Sequence, residues 1–238
     1  STRVRTSYRV TEQTLVINLG GRRRVLSSAP QGGGLTLASC VLNHQVEAHL
    51  SATGDQSKLF ADPVHFLRKV ASRLGIRART VGLMTAVPMT QLVMARAASD
   101  GIWVECFATV GVTNAVRAGE WPPQRSHRDK SGKPGTINLI LLTNGSLSSA
   151  AMVGAVQVAT EAKTGVLRDH AVPSCSGGMA ATGTGTDAVV IACQLQGQGP
   201  SHIYSGTHTV VGALVGRAVT NCMTRGLAKA KAWRESGQ

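Results

Sequence analysis

Apolar residues come in short runs along this chain, most of them of strand length. Residues 136–143 form one such run, rich in branched side chains, and Asn144-Gly145-Ser146 breaks it. Residues 188–193 form a second. Residues 37–46, 81–87 and 102–109 read as strands on the same pattern. Residues 14–19 and 22–29 flank Gly20-Gly21, which predicts a hairpin whose glycines take the positive φ of a tight turn. The period turns helical elsewhere. Asp62 as N-cap and Pro63 in the first turn open a helix to about Leu74, ended by Gly75. Pro88 opens another, through Ser99. Ser148 or Ser149 caps an Ala-rich helix to Asp169, and a last helix follows Thr207-His208-Thr209. Strands outnumber helices and the helices are scattered. The expectation is one α+β domain over residues 1–238, a mixed sheet covered by Ala-rich helices. A layered sandwich with two such helices on one face fits that pattern.

The helix over residues 149–169 is informative when plotted at 100° per residue. Met152, Ala155, Val156, Ala159, Ala162, Val166 and Leu167 form one apolar arc, and Lys163 falls in its middle. Glu161 lies opposite, beside Gln157 and Arg168, so Glu161 and Lys163 cannot pair on one face. A lysine aimed at a core snorkels to the rim or meets a buried acid or ligand. Asp187 is the acid expected to balance it.

Composition narrows the class. At 238 residues the chain supports one sizeable core, and aromatics make up only 3%, so Ala, Val, Leu and Gly build it. No apolar run has membrane-spanning length and no leader pattern appears, which predicts a soluble, cytoplasmic chain. The five cysteines are widely spaced and are expected to be buried, reduced thiols. The net charge of +13 would ordinarily suggest a polyanionic partner. The basic residues are spread out, however, and no basic stretch is interleaved with the stacking aromatics that single strands need. A solvated basic surface is expected rather than a nucleic-acid site, with Arg3, Arg5, Arg22 and Arg23 on it and dispensable for turnover. Residues 119–135 hold three prolines and read as a loop.

Three phrases carry the chemistry: Thr160-Glu161-Ala162-Lys163-Thr164, Thr182-Gly183-Thr184-Gly185-Thr186-Asp187 and Ser205-Gly206-Thr207-His208-Thr209. In this order and spacing they resemble the adenosylcobinamide amidohydrolase family of corrinoid salvage. Segments 24–30, 32–35, 41–46, 82–86 and 108–115 extend the likeness over residues 20–222. The resemblance implies hydrolysis of the amide joining aminopropanol to the corrin ring, releasing adenosylcobyric acid. The cobalt corrinoid would then be substrate, with no cofactor.

Amide hydrolysis builds negative charge on the carbonyl oxygen, and fixed donors around that oxygen lower the barrier. The Gly183 and Gly185 N–H groups and the Thr182, Thr184 and Thr186 hydroxyls are donors of that kind. Asp187 could orient water, act as base or fix a histidine, or simply cap a Gly-Thr turn. Glu161, Lys163 and His208 complete the catalytic candidates, His208 at a helix N-terminus that favours neutral imidazole. Asn138, Asn114 and His44 are polar positions in or beside apolar runs, and a strand asparagine such as Asn138 needs a partner. Ser28 and Thr85 are nucleophile candidates, since no Gly-x-Ser-x-Gly elbow occurs. The seven histidines form no tight cluster, so no protein-bound metal is expected. Two other readings stay open: a non-catalytic corrinoid-binding module, and a basic protein associated with nucleic acid. A homo-oligomer is also compatible.

Overall fold

The computed structural model describes residues 6–46, 62–121 and 135–235. Strands β1 (Ser7–Thr11) and β2 (Thr14–Ser27) form an antiparallel hairpin. Its turn residues Glu12 and Gln13 have φ of 45° and 58°, the left-handed geometry that two-residue hairpins demand. Neither is Gly or Asn, so the sequence pattern gave no sign of this turn.

The hairpin expected at Gly20-Gly21 does not form. β2 runs through it as one 14-residue strand, and the glycines, at φ 72° and 137°, sit in a register shift against β3 (Gly34–Gln45) between Asn18 and Arg23. The positive-φ signal is real but belongs to a bulge, which bends the paired strands. Arg23 fills the bend. It is 5% exposed and donates from Nε to Leu19 O, from Nη1 to Thr143 O and from Nη2 to the Thr6 hydroxyl, at 2.8–2.9 Å. Burial pushes its guanidinium below its usual pKa. Arg23 is therefore not part of the basic surface assigned to it from sequence. Arg3 and Arg5 lie outside the described residues.

The bend makes two layers from one sheet. Strand order is β4-β3-β2-β11-β8-β6-β5, with β1 on β2; β3–β4 and β8–β11 are parallel pairs and the rest antiparallel. Here β4 is Thr80–Thr85, β5 Val93–Ser99, β6 Ile102–Val110, β8 Ile137–Thr143 and β11 Ala188–Cys193. In a flat sheet β3 and β8 would stand three strand spacings apart, roughly 14 Å. Instead Asn138 Nδ2 on β8 donates to Asn43 Oδ1 on β3 at 2.9 Å, and the Tyr8 and Phe107 rings meet edge to face at 5.2 Å. Leu15, Ile17, Phe107, Ile140 and Leu142 belong to the core between the layers. Alternate residues of β6, β8 and β11, among them Cys106, Leu139 and Ile191, point the other way. They pack on α2 (Ser149–Asp169) and α3 (Val210–Glu235). On the far side α1 (Pro63–Arg73) packs Leu67 and Ala71 against Leu42. The protein is an α+β fold with a mixed sheet, layered as expected, both long helices on one face.

Two local expectations hold and two fail. The Asp62 carboxylate accepts the His65 N–H, and the Ser148 hydroxyl accepts the Ala151 N–H, so both predicted caps form. The helix predicted from Pro88 through Ser99 is instead a 3₁₀ turn (Met89–Gln91) followed by β5. Asp100-Gly101, at φ 51° and 75°, turns β5 into a hairpin with β6, and that pairing overrides the helical bias of an Ala-rich segment. Of the cysteines, Cys40, Cys106, Cys193 and Cys222 are buried, with the Cys40 thiol pushed up to about 11 by burial. Cys175 is exposed, contrary to expectation. No described helix is long and apolar enough to cross a membrane.

The seat of α3 on the sheet can be tested with two glycines. A Cβ at Gly226 would lie 2.5 Å from Val110 Cγ2 and 2.7 Å from Val110 Cβ, whereas one at Gly216 would meet only Val158 Cγ1 at 3.7 Å. Gly226→Ala is expected to lose about 1–3 kcal/mol to overpacking, against at most about 1 kcal/mol of helix propensity. Gly216→Ala keeps that propensity gain. Urea midpoints should move in opposite directions, and a rise in both would show that α3 is not seated on β6 in this way.

Candidate functional site

Asp187 stands at the entry to β11, on the side of the sheet covered by α2. Its carboxylate receives four donors. Oδ1 accepts the Ile137 N–H at 3.0 Å and the Thr184 hydroxyl at 2.5 Å; Oδ2 accepts the Thr184 N–H at 3.0 Å and Lys163 Nζ at 2.5 Å. A carboxylate offers about four acceptor directions, and all four are occupied. Lys163 reaches it from the apolar face of α2, and the two side chains are 9% and 13% exposed. The lysine in the apolar arc has found the acid expected to balance it.

Gly183 explains why the loop needs glycine there. It pairs with Val116 in a small ribbon of β7 (Ala115–Val116) and β10 (Gly183–Thr184). A Cβ at this position would lie 2.5 Å from Asp187 Oδ2 and 2.8 Å from Lys163 Nζ, so only hydrogen fits over the ion pair. The threonines fix the rest of the loop. Thr182 Oγ1 accepts the Ala118 N–H, and its carbonyl accepts the Thr164 hydroxyl. The Thr186 hydroxyl lies 2.7 Å from that of Thr136. Gly185 and Thr186 are exposed, so the loop tip faces outward. Asp187 does cap a turn through Thr184, but it also clasps α2 and β8.

Behind the clasp, on the inter-layer side, Asn138 Nδ2 donates to Asn43 Oδ1 and to Met84 O, and Asn43 Nδ2 donates to Thr109 Oγ1. The partner that Asn138 required is thus present, while its buried Oδ1 has none among the described residues. Asn114 Oδ1 is likewise buried and unpartnered, and it crowds Gly135, whose carbonyl takes a bond from Thr186. His44 Nδ1 lies 2.7 Å from the Thr14 hydroxyl. The Ser28 hydroxyl accepts the Val189 N–H and the Thr85 hydroxyl accepts the Val87 N–H, so both serve the backbone. Lys163 and the loop are thus joined directly through Asp187, Asn138 stands behind them on β8, and His44, Ser28 and Thr85 bond elsewhere, to Thr14, Val189 and Val87.

Glu161 and His208 are not brought there. Glu161 is exposed on the opposite side of α2. His208 is exposed near the start of that helix: Ser205 Oγ, three residues earlier, bonds to Ala151 O. Ala151 precedes Lys163 by twelve residues, roughly 18 Å of helix. The hydroxyl of Thr209, not His208, caps α3 by accepting the Gly212 N–H. Sequence reasoning missed Thr136 and Thr164. Their signal was adjacency, since Thr164 follows Lys163 and Thr136 opens the run that ends in β8. Surface grooves of about 350 and 700 Å³ lie along α1 and between β5 and α3, away from Asp187. Among the described residues no three His, Cys, Asp or Glu side chains gather as a metal-ligand set.

Comparison with known proteins points to one family. The family model described as adenosylcobinamide amidohydrolase matches residues 1–235. A protein of Methanocaldococcus jannaschii is 30% identical over 236 residues, covering 91% of this chain and 86% of that one. An adenosylcobinamide amidohydrolase of Methanosarcina mazei is 29% identical over 227 residues, covering 92% and 96%. Among solved structures a Burkholderia sp. beta-aminopeptidase superposes with a TM-score of 0.41 at 13% identity, covering 94% of this chain and 79% of that one, a likeness too low to carry an argument.

His44 gives this end a pH signature. Burial foremost, with Arg73 adding and Glu12 opposing, lowers its pKa from 6.5 to about 4. Between those values the unfolded chain holds the proton and the folded chain does not, so stability is full above about pH 6.5 and falls as pH drops toward 4. The loss is at most about 3 kcal/mol. Urea midpoints taken from pH 7 to 4.5 should fall, and the slope should flatten in His44→Gln, which carries no titrating ring. An equal slope in the variant would remove His44 as its cause.

Proposed function

The chain belongs to the adenosylcobinamide amidohydrolase family, and we propose that it hydrolyses the amide between aminopropanol and a propionate side chain of the corrin ring in adenosylcobinamide. The products are adenosylcobyric acid and free aminopropanol. Within a chain of this family, the reading rests on the buried Lys163–Asp187 pair held beneath an exposed Gly-Thr loop.

In the reaction an oxygen nucleophile adds to the amide carbonyl, the C–N bond breaks, and the amine leaves with a proton. The N–H groups of Gly185 and Thr186, at the loop tip, suit the developing oxyanion. Lys163 brings positive charge beneath the same loop, fixed by Asp187. Asp187 becomes a proton acceptor when the Thr184 hydroxyl turns from Oδ1 toward substrate, which frees one acceptor direction for the attacking oxygen. Asn114 Oδ1, buried against Gly135, is not placed to meet substrate in this scheme. Glu161 and His208 have no part in this scheme.

The decisive measurement is mass spectrometry of adenosylcobinamide incubated with the pure protein. Loss of aminopropanol with gain of a carboxylate is expected, without added divalent metal. Tight corrinoid binding with no release of aminopropanol would instead make the protein a corrinoid-binding module, and activity abolished by chelators and restored by zinc would overturn the metal-free part. Asp187→Asn keeps the size of the side chain but removes its charge. It should lower turnover about a hundredfold or more while corrinoid affinity changes far less. A folded Asp187→Asn protein with the parent's turnover would reduce the carboxylate to a turn cap.

A further inference from the structure

The free edge of β5 is the second place where this chain presents unoccupied chemistry. β5 ends the strand order, so among the described residues one side of it has no strand neighbour. The Trp103 N–H on β6 donates to Asn144 Oδ1 on the β8 side, so in the antiparallel alternation Val104 and Cys106 face β5. Their partners Ala97 and Ala95 are bonded inward, and Met94, Arg96 and Ala98 turn their N–H and C=O groups outward. The first half of that edge is closed. Arg225 donates to Met94 O at 2.6 Å, and Lys229 donates to Leu92 O at 3.1 Å and Thr90 O at 3.3 Å. The second half is not. Among the described residues the outward groups of Arg96 and Ala98 have no partner, and the 700 Å³ groove between β5 and α3 opens beside them.

Charge states what such a groove would accept. Arg217 and Asn221 on α3 line it on one side and Arg96 on the other, with the Arg96 guanidinium stacked 4.6 Å from the Trp103 ring centre rather than folded over the edge. Glu105 on β6 is the cross-strand partner of Arg96 on the same face, so the groove's unmatched positive charge is that of Arg217. We propose that the Arg96–Ala98 edge binds an extended acidic segment of a partner protein, which adds a strand antiparallel or parallel to β5. Its backbone pairs with the outward groups of Arg96 and Ala98, and its alternate carboxylates, on the face that α3 flanks, fall toward Arg217. A second copy of this chain is a poor occupant, because a net charge of +13 and the same arginines would face themselves.

The test uses the whole protein and a fluorescently labelled ten-residue peptide alternating Glu with Val and Thr. Anisotropy should show saturable binding that weakens as salt rises. A peptide with Gln in place of Glu should bind about tenfold more weakly, as should the parent peptide on Arg217→Glu. The Glu peptide methylated on alternate backbone nitrogens keeps its charge but cannot form the ladder, and it too should lose at least tenfold. Ala98→Pro removes one outward N–H that serves no bond among the described residues, so it should keep the parent's melting midpoint and lose the peptide. Equal binding of the methylated and parent peptides would mean adhesion by charge alone and overturn the proposal. Equal binding of the Gln peptide would overturn its acidic specificity. A dimer in sedimentation that Ala98→Pro dissociates would assign the edge to a second copy.

Discussion

A lysine and an aspartate brought almost out of water hold the candidate site together. Taking both charges from solvent is expensive, and their attraction repays it only if the remaining hydrogen-bonding capacity is met. Here it is met on the acid, whose two oxygens hold Lys163, the Thr184 N–H and hydroxyl, and the Ile137 N–H. The pair thus ties three elements at one point: α2 through Lys163, β8 through Ile137, and the Gly-Thr loop through Thr184. Removing either partner would strand a charge at a cost of about 3–5 kcal/mol. Yet two apolar side chains of similar volume would join α2 to the sheet about as well. Stability alone does not account for the pair, and that is the physical ground for placing chemistry beside it.

The polar contact behind the clasp depends in turn on the corner in β2. Without the bulge at Gly20-Gly21, β3 would extend away from β8, and Asn43 could not meet Asn138. Arg23 holds the corner from inside by bonding Leu19 O ahead of the bend and Thr143 O at the end of β8. The second half of β3 therefore returns over the start of β8, so Asn43 meets Asn138, the register partner of Ala188, although it lies 95 residues earlier. A bend at one end of the sheet sets the composition of the site at the other.

What the sequence made legible was local, and what it concealed was long-range. Lys163 could be placed in a core-facing arc because helical period is fixed by backbone geometry, and its acid was adjacent to the one loop rich in Gly and Thr. Caps at Asp62 and Ser148 were equally readable, since each bond spans three residues. The β2 corner was not readable: two adjacent glycines signal positive φ but do not distinguish a turn from a bulge, and the choice is made by β3. The β5 segment was misread because Ala and Met favour helix until a strand partner and an Asp-Gly turn are supplied. Arg23 was counted with the surface arginines because the Thr143 carbonyl and the Thr6 hydroxyl, from other segments, leave no trace in its neighbours.

The three phrases that mark the chain do not perform one task. Two of them, around Lys163 and around Asp187, meet in a single set of bonds in which each residue type has a stated duty: glycine where a Cβ would strike the ion pair, threonine where a backbone group needs a partner, lysine and aspartate at the centre. The third, around His208, lies at the opposite end of α2. There Ser205 ties the phrase to Ala151 and Thr209 starts α3, so its visible duty is to seat one long helix against the other. That division bears on mechanism, because α2 carries Lys163 and any play in its seat would be felt at the ammonium. A rigid α2, pinned at its first turn by the His208 phrase and near its last by Asp187, keeps Lys163 Nζ within hydrogen-bond reach of a carboxylate whose other donors are already fixed. Positioning of that kind is what transition-state stabilisation requires, since donors that must first be ordered contribute less when charge develops.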